Sequence, residues 1–203
     1  MSENNRVTIE GEVLTDPHYL TESFDCTIYE FSVAVERTSG VKDILNVNAP
    51  KYLIGDVEKG QTVRIEGEFR SYNKPTDVAG KTKTILSVYA QDIELEPAEE
   101  DSNNNIELTG YICKEPRYRK TPFGRDIADV ILAVGRETRR SDYIPCIFWG
   151  NQAKYICNKC EVGDRVKATG RIQSREYVKV LEDGEKETRV AYEVSVRTFD
   201  RVE

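Results

Sequence analysis

Few residues in this chain are spaced for catalysis. Cys157-Asn158-Lys159-Cys160 has half the spacing of a zinc ribbon, but no second pair follows and the only histidine, His18, stands in the other half of the chain. No metal is expected. Gly80-Lys81-Thr82 ends like a phosphate-binding loop, yet Pro75 stands where that loop needs its first glycine, and no strand-to-helix context surrounds it. With one histidine, no carboxylate pair marked out by its context and no nucleophile beside a base, no catalytic residue is nominated and no cofactor is implied. What remains is the chemistry of charge. The net charge of −7 speaks against a nonspecific polyanion binder, but it is unevenly distributed. Residues 1–100 hold 10 Lys and Arg against 19 Asp and Glu, a net of −9, whereas residues 101–203 hold 19 against 17, a net of +2. Only the second half is ready for phosphates.

The elements that must carry this charge come from an internal repeat. A shift of 99 puts Gly11 on Gly110, Pro17 on Pro116, Tyr19 on Tyr118, Ala34-Val35 on Ala133-Val134 and Arg37 on Arg136; a shift of 103 later puts Gly60 on Gly163, Gly67 on Gly170 and Ser71 on Ser174. The unit is a whole domain and not a solenoid motif. Residues 1–95 form one domain and 106–203 the other, with 96–105, acidic and polar with a proline, as the linker. Within each copy apolar residues recur with period two, as in Val63-x-Ile65-x-Gly67-x-Phe69 and Val166-x-Ala168-x-Gly170-x-Ile172, which predicts half-buried strands. Further such segments lie near 6–14, 28–36, 43–49 and 82–93, and near 105–113, 127–136, 142–149 and 188–199. A helix is expected over Asn151 to Lys159, with Ala153, Ile156 and Cys157 toward a core, and a shorter counterpart near Lys51 to Val57. Five strands with a helix between the third and fourth, all-β otherwise, outline two tandem OB-fold barrels. Gly67 and Gly170 suit a strongly bent strand where a barrel closes.

The bulk properties agree with a soluble chain that remains in the cytoplasm. No apolar run approaches the roughly 18 residues of a membrane span, no secretion signal precedes the first strand pattern, and five cysteines lack framework spacing, so disulfides are not expected.

The second copy resembles the bacterial single-stranded DNA-binding protein family. The resemblance is carried by Leu108-Thr109-Gly110-Tyr111, Glu115-Pro116-Arg117-Tyr118, Leu132-Ala133-Val134-Gly135-Arg136, Ile147-Phe148-Trp149-Gly150-Asn151-Gln152-Ala153 and the run from Val162-Gly163-Asp164 to Arg175-Glu176-Tyr177, in family order over nearly all of residues 105–202. The first copy keeps Gly11, Asp16-Pro17, Phe31-Ser32-Val33-Ala34-Val35 and Lys59-Gly60 but lacks the Trp-Gly segment. The resemblance implies sequence-independent binding of single-stranded DNA in replication, recombination or repair, by aromatic stacking in a basic groove. Its stacking positions fall on Tyr143, Trp149 and Tyr177; a further aromatic common after strand two is replaced by Glu137-Thr138-Arg139-Arg140. Arg117, Arg119, Lys120, Arg125, Arg136, Arg139, Arg140, Arg171, Arg175 and Lys179 surround these aromatics and are the phosphate candidates. The plainer readings are a core tryptophan, surface tyrosines and a charged solvent face. Strand alternation lets only one of Phe148 and Trp149 face outward.

The resemblance further implies a homodimer, since four such barrels commonly assemble around one DNA path. The family's acidic C-terminal tail finds no match beyond Phe199-Asp200-Arg201-Val202-Glu203, so recruitment of replication proteins by that route is not expected. The second half is expected to hold the strand, and the acidic first half to contribute chiefly assembly and shape. That acidic half also suits a different class of function, a protein-interaction accessory factor of primosome type with minor DNA contact.

Overall fold

Wherever the sequence alternates apolar with polar residues, the chain is a strand with the apolar phase buried. A computed structural model describes residues 4–23, 26–75, 82–98, 103–180 and 185–202. The first copy comprises β1 (Asn5–Val13), β2 (His18–Ser23), β3 (Cys26–Glu36), β4 (Lys42–Pro50), a 3-10 turn (Lys51–Leu53), β5 (Thr62–Pro75) and β6 (Thr82–Leu95). The second comprises β7 (Asn104–Ile112), β8 (Arg117–Lys120), β9 (Asp126–Gly135), β10 (Ser141–Trp149), α1 (Asn151–Lys159), β11 (Arg165–Val180) and β12 (Lys186–Val202). Each first strand pairs with both the third and the fifth of its copy, β1 with β3 and β5 and β7 with β9 and β11, and this closes the barrel. The last strand of each returns antiparallel to its predecessor and parallel to β4 or β10. Val7, Ile9, Phe31, Val63 and Ile65 fill one barrel; Ile106, Leu108, Leu132, Phe148 and Val166 fill the other. Helix α1 lays buried Ala153 and Ile156 against the second, with Cys157 partly buried beside them.

The expected elements are present, with six strands per copy in place of five. β2 and β8 are the additions. β8 has no buried residue, so no apolar periodicity announces it; both strands hang on the edge of a longer neighbour, β3 or β9. β7 begins at Asn104, inside the expected linker, while 99–102, like Gly80 and Lys81, lie outside the described residues. Gly67 and Gly170 mark bulges: the register of β5 against β6 shifts between Glu66 and Gly67, and that of β11 against β12 between Thr169 and Gly170. A Cβ there would run into the carbonyl oxygen of Tyr89 or Ser195, so only glycine fits. Beyond each bulge the strand leaves its barrel partner, and a buried asparagine takes over the ladder. Asn5 donates from Nδ2 to the Phe69 carbonyl (2.8 Å) and accepts from the Phe69 N–H (2.9 Å); Asn104 does the same for Ile172 at 2.8 and 2.9 Å. Among the described residues no helix is long and apolar enough to cross a membrane.

The two barrels form one twelve-stranded sheet. β1 and β7 pair antiparallel, with Asn5 opposite Leu108, Val7 opposite Ile106 and Ile9 opposite Asn104, a register nearly symmetric under exchange of the copies. The same exchange relates two ionic clasps. Arg37 holds Asp43 through two hydrogen bonds of 2.7 and 2.6 Å, and Asp43 accepts from the N–H (2.7 Å) and hydroxyl (3.3 Å) of Ser174 in the other barrel. Reciprocally, Arg136 holds Asp142, which accepts from the Ser71 N–H (2.6 Å), while Arg136 also donates to the Ser71 carbonyl (3.0 Å). Both aspartates are fully buried, and each raises its arginine's pKa, chiefly by hydrogen bonding, so the guanidinium stays charged at any ordinary pH. Removing one carboxylate strands a guanidinium and a backbone N–H. Asp142→Ala is expected to cost toward the lower end of about 3 to 5 kcal/mol, because Arg136 keeps some solvent exposure; urea denaturation measures it, and a loss under about 1 kcal/mol would show that the clasp holds nothing together.

Candidate nucleic-acid interface

The side chains of β10 are sorted by strand alternation. Ile144, Cys146 and Phe148 point inward and are fully buried, which turns Tyr143, Pro145, Ile147 and Trp149 onto the outer face. Tyr143 is 54 % exposed, enough to offer a ring face. Trp149 is half-buried, its Nε1 donating to Ser195 Oγ of β12 at 3.0 Å, so its edge is anchored across the parallel pair. Six residues of strand separate the two rings by about 20 Å.

The neighbouring strands bring charge to the same face. Arg119 is paired to Ile127, which is paired to Trp149, and Arg117 to Asp129 and Ile147 likewise, so both arginines share Trp149's side; Lys120, one residue out of phase, points to the other. Arg119 is ion-paired with Asp129. On β11, Arg171, Gln173, Arg175 and Tyr177 alternate outward. Arg175 lies 5.9 Å from the Tyr177 ring, a cation–π contact, and Tyr177 is 37 % exposed. Arg171 is crowded: burial and Arg37 of the first barrel lower its pKa, and its Nε has no partner among the described residues. Arg125 is exposed in the β8–β9 turn and Arg139 in the β9–β10 turn, at opposite ends of β9. Arg139 takes φ +61° where the repeat places Gly40, at φ +78°, in the first copy. Lys179 lies in β11, and its side chain is outside the described residues.

Arg136 is the correction. Its guanidinium is committed to Asp142 and Ser71, so it serves the interbarrel clasp and is not a free phosphate ligand. The clasp nevertheless builds a site. Ser71 Oγ accepts from the Tyr143 N–H at 2.9 Å, which brings Tyr72 of the first barrel into one groove with Tyr143, Lys114 and Arg140. This groove, about 740 Å³, has no carboxylate in its lining among the described residues. Thr84 and Pro145 line both this groove and a neighbouring cleft of about 630 Å³ that holds Tyr177 and Tyr192, so Tyr143 and Tyr177 border adjacent clefts. Trp149 and Arg119 stand apart on the open face of the second barrel.

Three groove and surface residues escape sequence reasoning. Lys114 lies between strands and carries no signal. Phe123, 93 % exposed in the turn beside Arg125, is a large apolar ring held fully in water. Tyr72 could have been found from Arg70-x-Tyr72-x-Lys74, which continues the outward phase of β5 past its bulge; the repeat sets Tyr72 against Arg175, and Lys74 against Tyr177.

The comparisons with known proteins agree with this architecture. The model of the single-strand binding protein family matches residues 4–96 and again residues 103–202. Single-stranded DNA-binding protein 3 of Streptococcus agalactiae serotype V is 39 % identical over 80 residues, 36 % of this chain and 58 % of that protein. Single-stranded DNA-binding protein A of Bacillus subtilis is 35 % identical over 80 residues, 36 % of this chain and 46 % of that protein. The chain thus spans about half the length of the curated relatives it matches. In fold it is similar to the single-stranded DNA-binding protein of Thermus aquaticus in a deletion-mutant crystal structure, with a TM-score of 0.76 at 22 % identity, over 98 % of this chain and 94 % of that one. Two barrels, two family matches and a two-barrel structural neighbour lead to one conclusion: this chain belongs to the single-strand binding protein family, with two tandem OB-fold domains in one polypeptide.

Proposed function

We propose that the chain binds single-stranded DNA without regard to sequence and without catalysis, in replication, recombination or repair. The observation that carries this reading is the outward set of β10, Tyr143 and Trp149 on one face, next to a groove that holds Arg140 and Lys114 and no carboxylate among the described residues. Bases stack on Tyr143, Trp149 and Tyr177, because every base has a π-face and stacking ignores sequence. Phosphates are met by Arg117, Arg125, Arg139, Arg140 and Arg175, while Arg119 binds only if its Asp129 pair is exchanged. Arg171, desolvated and next to Arg37, is a further position that an incoming anion would relieve.

Trp149 is the only tryptophan, so its fluorescence reports the site directly. Titration with oligo-dT should quench it, and Trp149→Ala should weaken binding by about 1 to 3 kcal/mol; unchanged emission during a titration would favour the protein-interaction reading instead.

The turn at Arg139 ties binding to strain. A left-handed conformation costs a non-glycine residue about 1 kcal/mol, which the first copy avoids with Gly40. Arg139→Gly should therefore gain up to about 1 kcal/mol of stability while losing a phosphate contact. With about four to six phosphates neutralised, the log–log salt slope of the unaltered chain would lie near −3 to −4, and the variant's should be shallower by about 0.7. An identical slope would remove Arg139 from the site.

Two such chains assemble as a homodimer of four barrels in this reading, supported by exposed apolar side chains on the long hairpins, Val178 at 59 % and Val190 at 42 %. Sedimentation equilibrium should give about twice the 23.2 kDa chain mass. A stable monomer at micromolar concentration would contradict the dimer and leave DNA binding untouched.

A further inference from the structure

The first barrel lacks every aromatic at the stacking positions of the second. In the repeat register Ile44 stands for Tyr143, Pro50 for Trp149 and Lys74 for Tyr177. The strand pairing, however, shows where aromatic surface has moved. In the second barrel Ile147 of β10 is opposite Ser195 of β12, and the Trp149 indole leans across to that serine. In the first, the equivalent pair is Asn48 of β4 and Tyr89 of β6. Tyr89 rises from the site over which Trp149 lies, so the ring is supplied by the neighbouring strand to the same patch of barrel face. Tyr72, from β5, faces the same side.

A cavity of about 450 Å³ opens at these rings, lined by Tyr72, Tyr89, Arg70, Lys74 and Asn48 among others, with no carboxylate in its lining among the described residues. The Arg70 guanidinium stands 3.9 Å from the Tyr89 ring centroid and is held there through Nε by Glu68 at 2.9 Å. A planar cation supported on an aromatic ring is itself a stacking surface for a base. Deeper in, Asn48 is 6 % exposed; its Nδ2 donates to Ser87 Oγ at 3.0 Å, and its Oδ1 has no partner among the described residues. A buried acceptor without a donor is costly, and each of the four bases carries an N–H on its pairing edge. The cavity shares Tyr72, Asn73 and Arg136 with the interbarrel groove, so the two lie side by side and a strand leaving Tyr143 has this cavity next to it.

We propose that the first barrel holds a nucleobase of the same strand on its own platform, Tyr72, Tyr89 and Arg70, displaced by one strand from the platform of the second barrel. This rests on the DNA-binding reading above and replaces the expectation that residues 1–95 contribute chiefly assembly and shape.

The test moves the fluorophore. In the double variant Trp149→Phe, Tyr89→Trp the sole tryptophan lies in the first barrel, and an oligo-dT of about 30 nucleotides should quench it. In parallel, Tyr89→Ala should weaken binding of that oligonucleotide about 5-fold or more by anisotropy, while a short oligonucleotide still quenches Trp149 as in the unaltered chain. Circular dichroism confirms the fold of each variant. Binding by anisotropy without quenching in the double variant, together with an unchanged Kd for Tyr89→Ala, would overturn the first-barrel platform and leave the second-barrel reading standing. No anisotropy change with the unaltered chain would overturn both.

Discussion

The antiparallel pairing of β1 with β7, locked by two buried arginine–aspartate clasps, is the constraint on which the rest of the molecule depends. Burying a carboxylate costs several kcal/mol, and the cost is offset here by bidentate guanidinium bonds together with a serine N–H from the opposite barrel. A carboxylate so placed is satisfied only in one relative position of the barrels. The clasps therefore set orientation more than they add stability, and the orientation decides what meets across the boundary. Ser71 bonds the backbone of Tyr143, and so Tyr72 and Tyr143 face a common groove.

Near-symmetry in the backbone coexists with asymmetry in charge. Beside the Arg136–Asp142 clasp stands Glu68, which the repeat pairs with Arg171 beside the Arg37–Asp43 clasp. One junction gathers negative charge and holds it with Arg70 and Gln91; the other gathers Arg37, Arg171 and Arg197 and leaves a buried nitrogen without a partner among the described residues. The same strand geometry thus presents two electrostatic faces to a polyanion. The summed charge of each half conceals this, because carboxylates of the first barrel are occupied in internal pairs such as Arg64–Glu10 and Arg70–Glu68. Its outward groove is lined instead by Tyr72, Tyr89, Arg70 and Lys74.

The repeat, the period-two segments and the helix at Asn151–Lys159 were all legible in the sequence, because each depends on local spacing and on one rule, that an apolar phase turns to a core; alternation also required that only one of Phe148 and Trp149 face outward, without deciding which. β2 and β8 were not legible, since strands with a solvated edge and little to bury carry no periodicity. The role of Arg136 was hidden for a different reason. An arginine bound for phosphate and an arginine bound for a buried aspartate are the same residue in the same strand pattern, and only the approach of Ser71, 65 positions away in the chain, tells them apart. The groove is of that kind as well. Its tyrosines, Tyr72 and Tyr143, come from β5 and β10, and their meeting depends on a bulge at Gly67 that re-aims β5 and on a pairing of β1 with β7 that brings two barrels edge to edge. Sequence by itself determined the family, the two barrels and the alternation of their longer strands; tertiary structure decided which charges are engaged and which rings border neighbouring clefts, because both depend on contacts between barrels that no local spacing encodes.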